Sequence, residues 1–241
     1  MLEQTIKIKS YDVHPNGVVK ISALQKYMQQ IAREDSDSYG ATYAKMREAN
    51  MVFVITRLAM EFERPLRDED IVTIRTINNR LEGASFVREF LFFSGGEQVA
   101  AATTLWALLD FEKRSILCPS ALPFTIPALN LPVPGIPVQK RLTERGTVLT
   151  PSGERQVAFS DLDENNHLNN AYYSDIVADF APVSLYDHWI SGLQIAFLSE
   201  ARLGDTLAVG VQERESGFLL TARNGRTGAN CFEAQATVSA L

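Results

Sequence analysis

Between Ser160 and Tyr173 the chain reads Ser-Asp-Leu-Asp-Glu-Asn-Asn-His-Leu-Asn-Asn-Ala-Tyr-Tyr, and a carboxylate, an amide and an imidazole fall there at alternate positions: Asp163, Asn165 and His167. Side chains of an extended backbone alternate with period 2, so an extended segment points all three to one side. A carboxylate beside an imidazole is the material of acid–base catalysis, and an amide next to them can orient a carboxylate or bind a carbonyl. Tyr173, Ile176, Val177 and Phe180 recur at spacings of three to four, so an apolar helix face is expected from about Asn169 or Asn170, with asparagine as the cap. The free N–H groups of that helix start are expected beside the triplet, where they would suit a developing negative oxygen. The same residue types are also ordinary turn formers, and a lone histidine is often structural.

A second carboxylate follows in Phe197-Leu198-Ser199-Glu200-Ala201, at the edge of an apolar run. Burial there would raise the pKa of Glu200 toward neutrality; the other reading is an exposed strand-end glutamate beside Arg202. No G-x-S-x-G elbow, G-x-x-x-x-G-K-[ST] loop, H-E-x-x-H pair or G-x-G-x-x-G turn occurs, so serine-hydrolase, nucleotide and metalloprotease chemistry lose their usual support. His14 and His188 have no evident partners and read as structural or exposed.

The elements that must hold these groups follow from periodicity. A strand is expected near Thr5 to Lys9, then a helix with Ile21, Leu24, Met28 and Ile31 on one face. Strands near 51–63, 71–78, 85–93 and 98–110 come next, with Gly83 and Gly95-Gly96 as turns. Six of the ten prolines then lie between Pro119 and Pro137, a composition that breaks helices and sheet ladders and marks a linker. The order then repeats: a strand near 156–159, a helix, and strands near 193–198, 206–212, 218–222 and 231–240. A helix followed by a run of strands argues for α+β architecture.

The two halves also align. An offset of 149 sets Asp12 on Asp161, Val13 on Leu162, Asn16 on Asn165 and Ala32 on Ala181. An offset of 135 sets Ile55 on Ile190, Leu58 on Leu193, Phe62 on Phe197, Arg67 on Arg202 and Asp70 on Asp205. This is the order of an internal duplication, with about 14 extra residues in the first copy, expected as a second helical piece around Ser36 to Ala49. The first copy has lost the triplet: His14 faces Asp163, Val18 faces His167, Pro65 faces Glu200, and only Asn16 keeps its counterpart.

A chain of 241 residues with 46% hydrophobic content can bury a large core as one domain or two. Its net charge of −6 argues against general attraction to nucleic acid or an anionic membrane. No apolar stretch is long enough for a membrane span, and the first residues lack the pattern of a signal peptide. Cys118 and Cys231 have neither metal-ligand spacing nor the density of a disulfide scaffold, which fits a reducing cytoplasm.

The string from Asp163 to Tyr173 resembles the D-x-N-x-H-x-N-N-x-x-Y signature of acyl-acyl carrier protein thioesterases, plant and bacterial enzymes that end fatty-acid synthesis by hydrolysing the acyl thioester. The resemblance implies a tandem, or double, hotdog of the α+β class, two antiparallel sheets each wrapped around a long helix. It divides the chain into an N-terminal hotdog at 1–115 that shapes the acyl pocket, a Pro-rich linker at 116–150 and a catalytic C-terminal hotdog at 151–241. It also implies a catalytic set of Asp163, Asn165, His167 and Glu200, without metal or cofactor. Asp163 and Glu200 would activate water or attack directly, Asn165 would orient the carboxylate or bind the carbonyl, and His167 would polarise the carbonyl or assist the thiolate. In plant members a cysteine commonly follows the glutamate; here Ala201 stands there, so a cysteine–histidine route is closed.

The acyl channel is expected between the sheet and the first helix, lined by Met28, Ile31, Met51, Phe53 and Ile55. The implied partner is an acidic acyl carrier protein, met by a basic patch from Lys140, Arg141, Arg145 and Arg155, or from Arg64 and Arg67. A cytoplasmic monomer or homodimer is expected. The alternatives are an acyl-CoA thioesterase on the same fold, more distantly a hotdog dehydratase, and a sensor that binds acyl thioesters without cleaving them.

Overall fold

The computed structural model describes residues 1–133, 135–144 and 146–241. The first half runs β1 (Leu2–Lys7), α1 (Ile21–Ser38), α2 (Tyr43–Glu48), β2 (Met51–Phe62), β3 (Ile71–Glu82), β4 (Ser85–Ser94) and β5 (Glu97–Asp110). The second runs β6 (Thr150–Gln156), α3 (Tyr172–Asp179), β7 (His188–Phe197), β8 (Thr206–Arg214), β9 (Gly217–Asn224) and β10 (Asn230–Ala240). Every strand pairing is antiparallel, and the expected separate sheets are joined: β2 pairs with β7, giving one ten-stranded sheet in the order β1-β3-β4-β5-β2-β7-β10-β9-β8-β6.

One face of this sheet holds the main core. Leu24, Met28 and Ile31 of α1 and Tyr173, Ile176 and Val177 of α3 meet Leu58, Met60, Leu193, Ile195 and Phe232 from the strands. Each fully buried leucine or isoleucine there contributes roughly 1.5–3 kcal/mol. The two helices touch through a buried polar pair, Gln25 Nε2 donating to Ser174 Oγ at 2.7 Å, and the offset of 149 makes these counterparts. The Pro-rich segment covers the other face: Val133 and Ile136 pack on Ile77, Leu91 and Ala101, and Leu142 on Ala196 and Leu219. Gly135 lies directly on the buried Glu89, so close that a Cβ would sit 2.7 Å from its Oε1.

The helices differ from their sequence pattern in instructive ways. The first half carries the long one, 18 residues, ended by Gly40 in the left-handed region at φ +81°. Its second helical piece is confined to α2, capped by Thr42, whose hydroxyl accepts from Lys45 N. In the second half α3 has eight residues and starts at Tyr172, later than expected. Asn169 forms a turn ahead of it, Oδ1 accepting from Ala171 N and its carbonyl from Tyr172 N, and Pro182 follows the other end.

Hydrogen bonding shows that the halves share one plan. Arg67 N donates to Asp70 Oδ2 at 3.0 Å, and Arg202 N to Asp205 Oδ2 at 2.9 Å. Ile8 N bonds Asp70 O as Val157 N bonds Asp205 O, and Val19 N bonds Leu66 O as Leu168 N bonds Ala201 O. Asp205 is the more deeply set, 2% exposed, and also accepts from Asn224 Nδ2 and Arg226 Nε, each at 2.7 Å. The Arg226 bond is the largest influence on its carboxyl and, against burial, draws the pKa down to about 2.

Asp205→Ala is expected to cost about 2 kcal/mol or more at neutral pH, and Asp70→Ala less, because Asp70 is partly exposed. A depressed native pKa gives stability that is present above the unfolded value and lost as pH falls through the folded one. The gap between wild type and Asp205→Ala in urea melts should therefore narrow from about pH 4 toward pH 2.

Candidate active site

The turn that carries the triplet is tight, not extended. Leu162 and Leu168 bridge its base, Asp163 N bonds His167 O at 2.8 Å, and Asn166 adopts φ +60°. The alternation expected for an extended chain therefore does not apply. Asp163 Oδ1 instead accepts from Asn165 N at 2.8 Å and His167 N at 3.2 Å, an arrangement that fixes the turn. Its other oxygen, Oδ2, takes no part in those bonds. The first copy makes the same bridge between Val13 and Val19 but uses Gly17 at φ +78° and Asn16 Oδ1 to bind Val18 N.

The side chains of the turn then diverge to different partners. Asn165 Oδ1 accepts from the Tyr43 hydroxyl at 3.1 Å, a contact from α2 of the first half, which turns Nδ2 away from Tyr43. His167 Nε2 lies 3.0 Å from Glu200 Oε2, so two expected site residues separated by 33 positions meet. The N–H groups of Ala171, Tyr172 and Ser174 are bonded within the turn and first helical residues, so these three are not free to serve as the oxyanion donors expected there. Asn165 Nδ2 is a further donor on the turn itself.

Glu200 does not sit in an apolar setting. Its side chain is 35% exposed and pairs with Arg114, from the turn after β5, and with Arg202 Nη2 at 3.5 Å. Two guanidiniums thus stand where apolar neighbours were expected. His167 is the more enclosed of the two. Burial is the largest influence and lowers its pKa below the ordinary 6.5; Asp163 raises it, and the charges of Arg202 and Arg114 lower it. When neutral, an imidazole whose Nε2 lies 3.0 Å from a carboxylate oxygen carries its proton there and leaves Nδ1 unprotonated.

A cavity of about 210 Å³ opens beside Asn165. It runs along the α1 stripe Gln29, Ala32, Arg33 and Ser36, under Tyr43 and Met46 of α2. Of the five residues expected to line an acyl channel, Phe53 lines this cavity. Met28 and Ile55 border a separate void of about 20 Å³, Ile31 is fully buried in the core, and Met51 packs on the Met46, Phe86 and Leu108 cluster. The apolar face of α1 meets the strands, so the cavity takes the adjoining, more polar face, which periodicity reads as solvated. Phe86, Trp106 and Ile126 were missed because they sit on strands and linker with no local signal of a pocket.

The expected basic patch is largely engaged. Arg155 Nη2 contacts both oxygens of Asp161, Arg64 pairs with Asp70, and Arg67 bonds Asn16 O, while Arg145 lies outside the described residues. His14 is partly buried, which lowers its pKa, and His188 Nδ1 contacts Ser184 O at 3.1 Å.

Fold and site together define a double hotdog with a single Asp-Asn-His turn. Family models for the acyl-ACP thioesterase N-terminal domain and C-terminal domain match residues 1–118 and 151–237. The chain belongs to the acyl-ACP thioesterase family. It is 23% identical over 218 residues to a chloroplastic palmitoyl-acyl carrier protein thioesterase of Gossypium hirsutum, covering 83% of this chain and 52% of the relative. With a dodecanoyl-[acyl-carrier-protein] hydrolase of Cinnamomum camphora the identity is 24% over 227 residues, covering 86% and 58%. The chain thus spans between half and three fifths of the length of these curated relatives. In structure it is similar to an acyl-ACP thioesterase from Bacteroides thetaiotaomicron, TM-score 0.83 at 20% identity, covering 98% of this chain and 97% of that one. A 12:0-ACP thioesterase from Umbellularia californica gives 0.83 at 19%, covering 100% and 97%.

Titrating the His167 ring by NMR should give a midpoint below 6.5. In Arg202→Gln, which removes one charge that holds it down, the midpoint should move to higher pH.

Proposed function

We propose that this chain hydrolyses acyl-acyl carrier protein thioesters, releasing free fatty acid and ending chain elongation. The observation that carries this reading is the single Asp-Asn-His turn, in which Asn165 lines a cavity built mostly by the first half and His167 lies 3.0 Å from Glu200. Relatives named as palmitoyl, oleoyl and dodecanoyl acyl carrier protein hydrolases support the thioester class.

Hydrolysis needs an activated water, a donor for the carbonyl oxygen and a route for protons. Asp163 holds its turn with Oδ1, and Oδ2 is the oxygen we assign to water activation. Asn165 Nδ2 donates to the thioester carbonyl and to the oxyanion that forms from it. Glu200 orients His167 through Nε2–H, and His167 passes the proton taken from water toward the departing thiolate. The products are a carboxylic acid and a thiol. The division of labour assigns residues 1–115 to the pocket, 116–150 to the linker and 151–241 to the chemistry. A carrier protein is the partner. A cytoplasmic setting is part of this reading, and the internal β2–β7 pairing favours a monomer over a homodimer.

The test is free-thiol release from acyl carrier protein and acyl-CoA esters. Wild type should turn over the carrier esters faster. Asp163→Asn keeps an oxygen for the turn but loses the base, so kcat should fall by about a hundredfold or more with an unchanged melting temperature. Full turnover by Asp163→Asn would overturn the assignment. Preference for CoA esters would move the substrate to acyl-CoA, and tight binding without cleavage would make the chain a sensor.

A further inference from the structure

The larger cavity is lined differently from a plain alkyl channel. Alongside Phe53, Phe86, Trp106 and Ile126, the lining includes Arg88, Asn78 and Ser36. Arg88 is 5% exposed and rigidly held: Nη1 donates to Asp35 Oδ2 at 2.8 Å and to Thr76 Oγ1 at 2.9 Å, and Nη2 to Ser36 Oγ at 3.3 Å. Asp35 is 1% exposed. Burial pushes its carboxyl up, but the bonds and charge of Arg88, together with bonds from the Met1 ammonium and the Tyr39 hydroxyl, outweigh this and hold it below the ordinary range. The pair is therefore charged, and those three bonds use three of the five guanidinium N–H donors.

The position of Arg88 along the channel follows from α1. Arg33 pairs with Glu164 next to the catalytic turn, and Ser36, about one helical turn further on, meets Arg88. An alkyl chain entering past Asn165 thus runs toward a guanidinium. Packing methylenes against it removes water from a charged group without replacing the lost hydrogen bonds, which is unfavourable. An oxygen at that depth accepts from it instead.

We propose that Arg88, seconded by Asn78, is a specificity determinant that makes the site prefer acyl chains bearing a hydroxyl or keto oxygen toward the distal end over saturated chains of equal length. This rests on the reading of the cavity as the acyl site. Matched saturated and distally hydroxylated acyl-pantetheine thioesters, in a series of lengths, give kcat/KM; the corresponding hydrolysis-resistant amides give Kd by calorimetry.

At lengths that reach Arg88, the hydroxylated member should win by roughly tenfold or more in both quantities. Replacing both buried partners, Asp35→Leu with Arg88→Leu, leaves the Met1 ammonium, 47% exposed, as the one charge that loses its carboxylate, and should abolish the preference while longer saturated chains gain. Asn78→Leu, which spares the ion pair, should reduce it and serves if the double variant does not fold. Equal or reversed preference in wild type overturns the proposal. Amides that show the preference without any thioester being cleaved would uphold it and remove the hydrolase reading; cleavage without preference would do the opposite.

Discussion

Five residue pairs between β2 and β7, from Arg57↔Ala196 to Glu61↔Gly192, hold the two halves in one sheet, and the site exists only because of that seam. It brings α2 of the first half over the turn of the second, where Tyr43 meets Asn165. It also brings Arg114, at the end of the first half's last strand, onto Glu200, just past the end of β7. Neither half alone contains both the cavity and the groups beside it: all but Glu164 and Asn165 of the cavity lining comes from the first half and the linker.

The duplication explains why one site opens and its counterpart does not. In the second copy the turn asparagine faces a phenol and a cavity. In the first, Asn16 Nδ2 donates to Leu185 O at 2.7 Å and His188 O at 3.2 Å, so the short connection after α3 closes on it with backbone carbonyls. The additional residues of the first copy build α2, which stands off Asn165 on Tyr43 and Met46 and leaves space beneath. Length in one loop, more than the loss of the triplet in the other copy, decides where the cavity opens.

Much of this was legible in the sequence because it is local. The period of Ile21, Leu24, Met28 and Ile31 gives α1, the alternating runs give the strands, and the pairs Arg67/Arg202 and Asp70/Asp205 give the duplicated loop that the hydrogen bonds show. What could not be read depends on long-range placement. The alternation of Asp163, Asn165 and His167 would align them only on an extended segment, and the turn-forming residue types prevail: Asn166 takes a positive φ and Asp163 bonds the backbone ahead of it. Of the two readings of Glu200, the structure favours the exposed strand-end glutamate beside Arg202, and its further neighbours, Arg114 and His167, arrive from distant segments. Hydrophobicity marks the core face of α1, whereas the cavity uses the face of Gln29, Arg33 and Ser36, so apolar residues such as Ile31 were better indicators of packing than of a ligand channel.

The central claim is that the acyl chain lies in the first half while its carbonyl meets the turn of the second. A crystal structure with a hydrolysis-resistant acyl-pantetheine amide tests it most directly. The claim predicts alkyl density along Gln29, Ala32 and Ser36 toward Phe53 and Trp106, with the carbonyl oxygen within hydrogen-bond distance of Asn165 Nδ2. Density for the chain between α3 and the strands of the second half, or a carbonyl remote from Asn165, would contradict it.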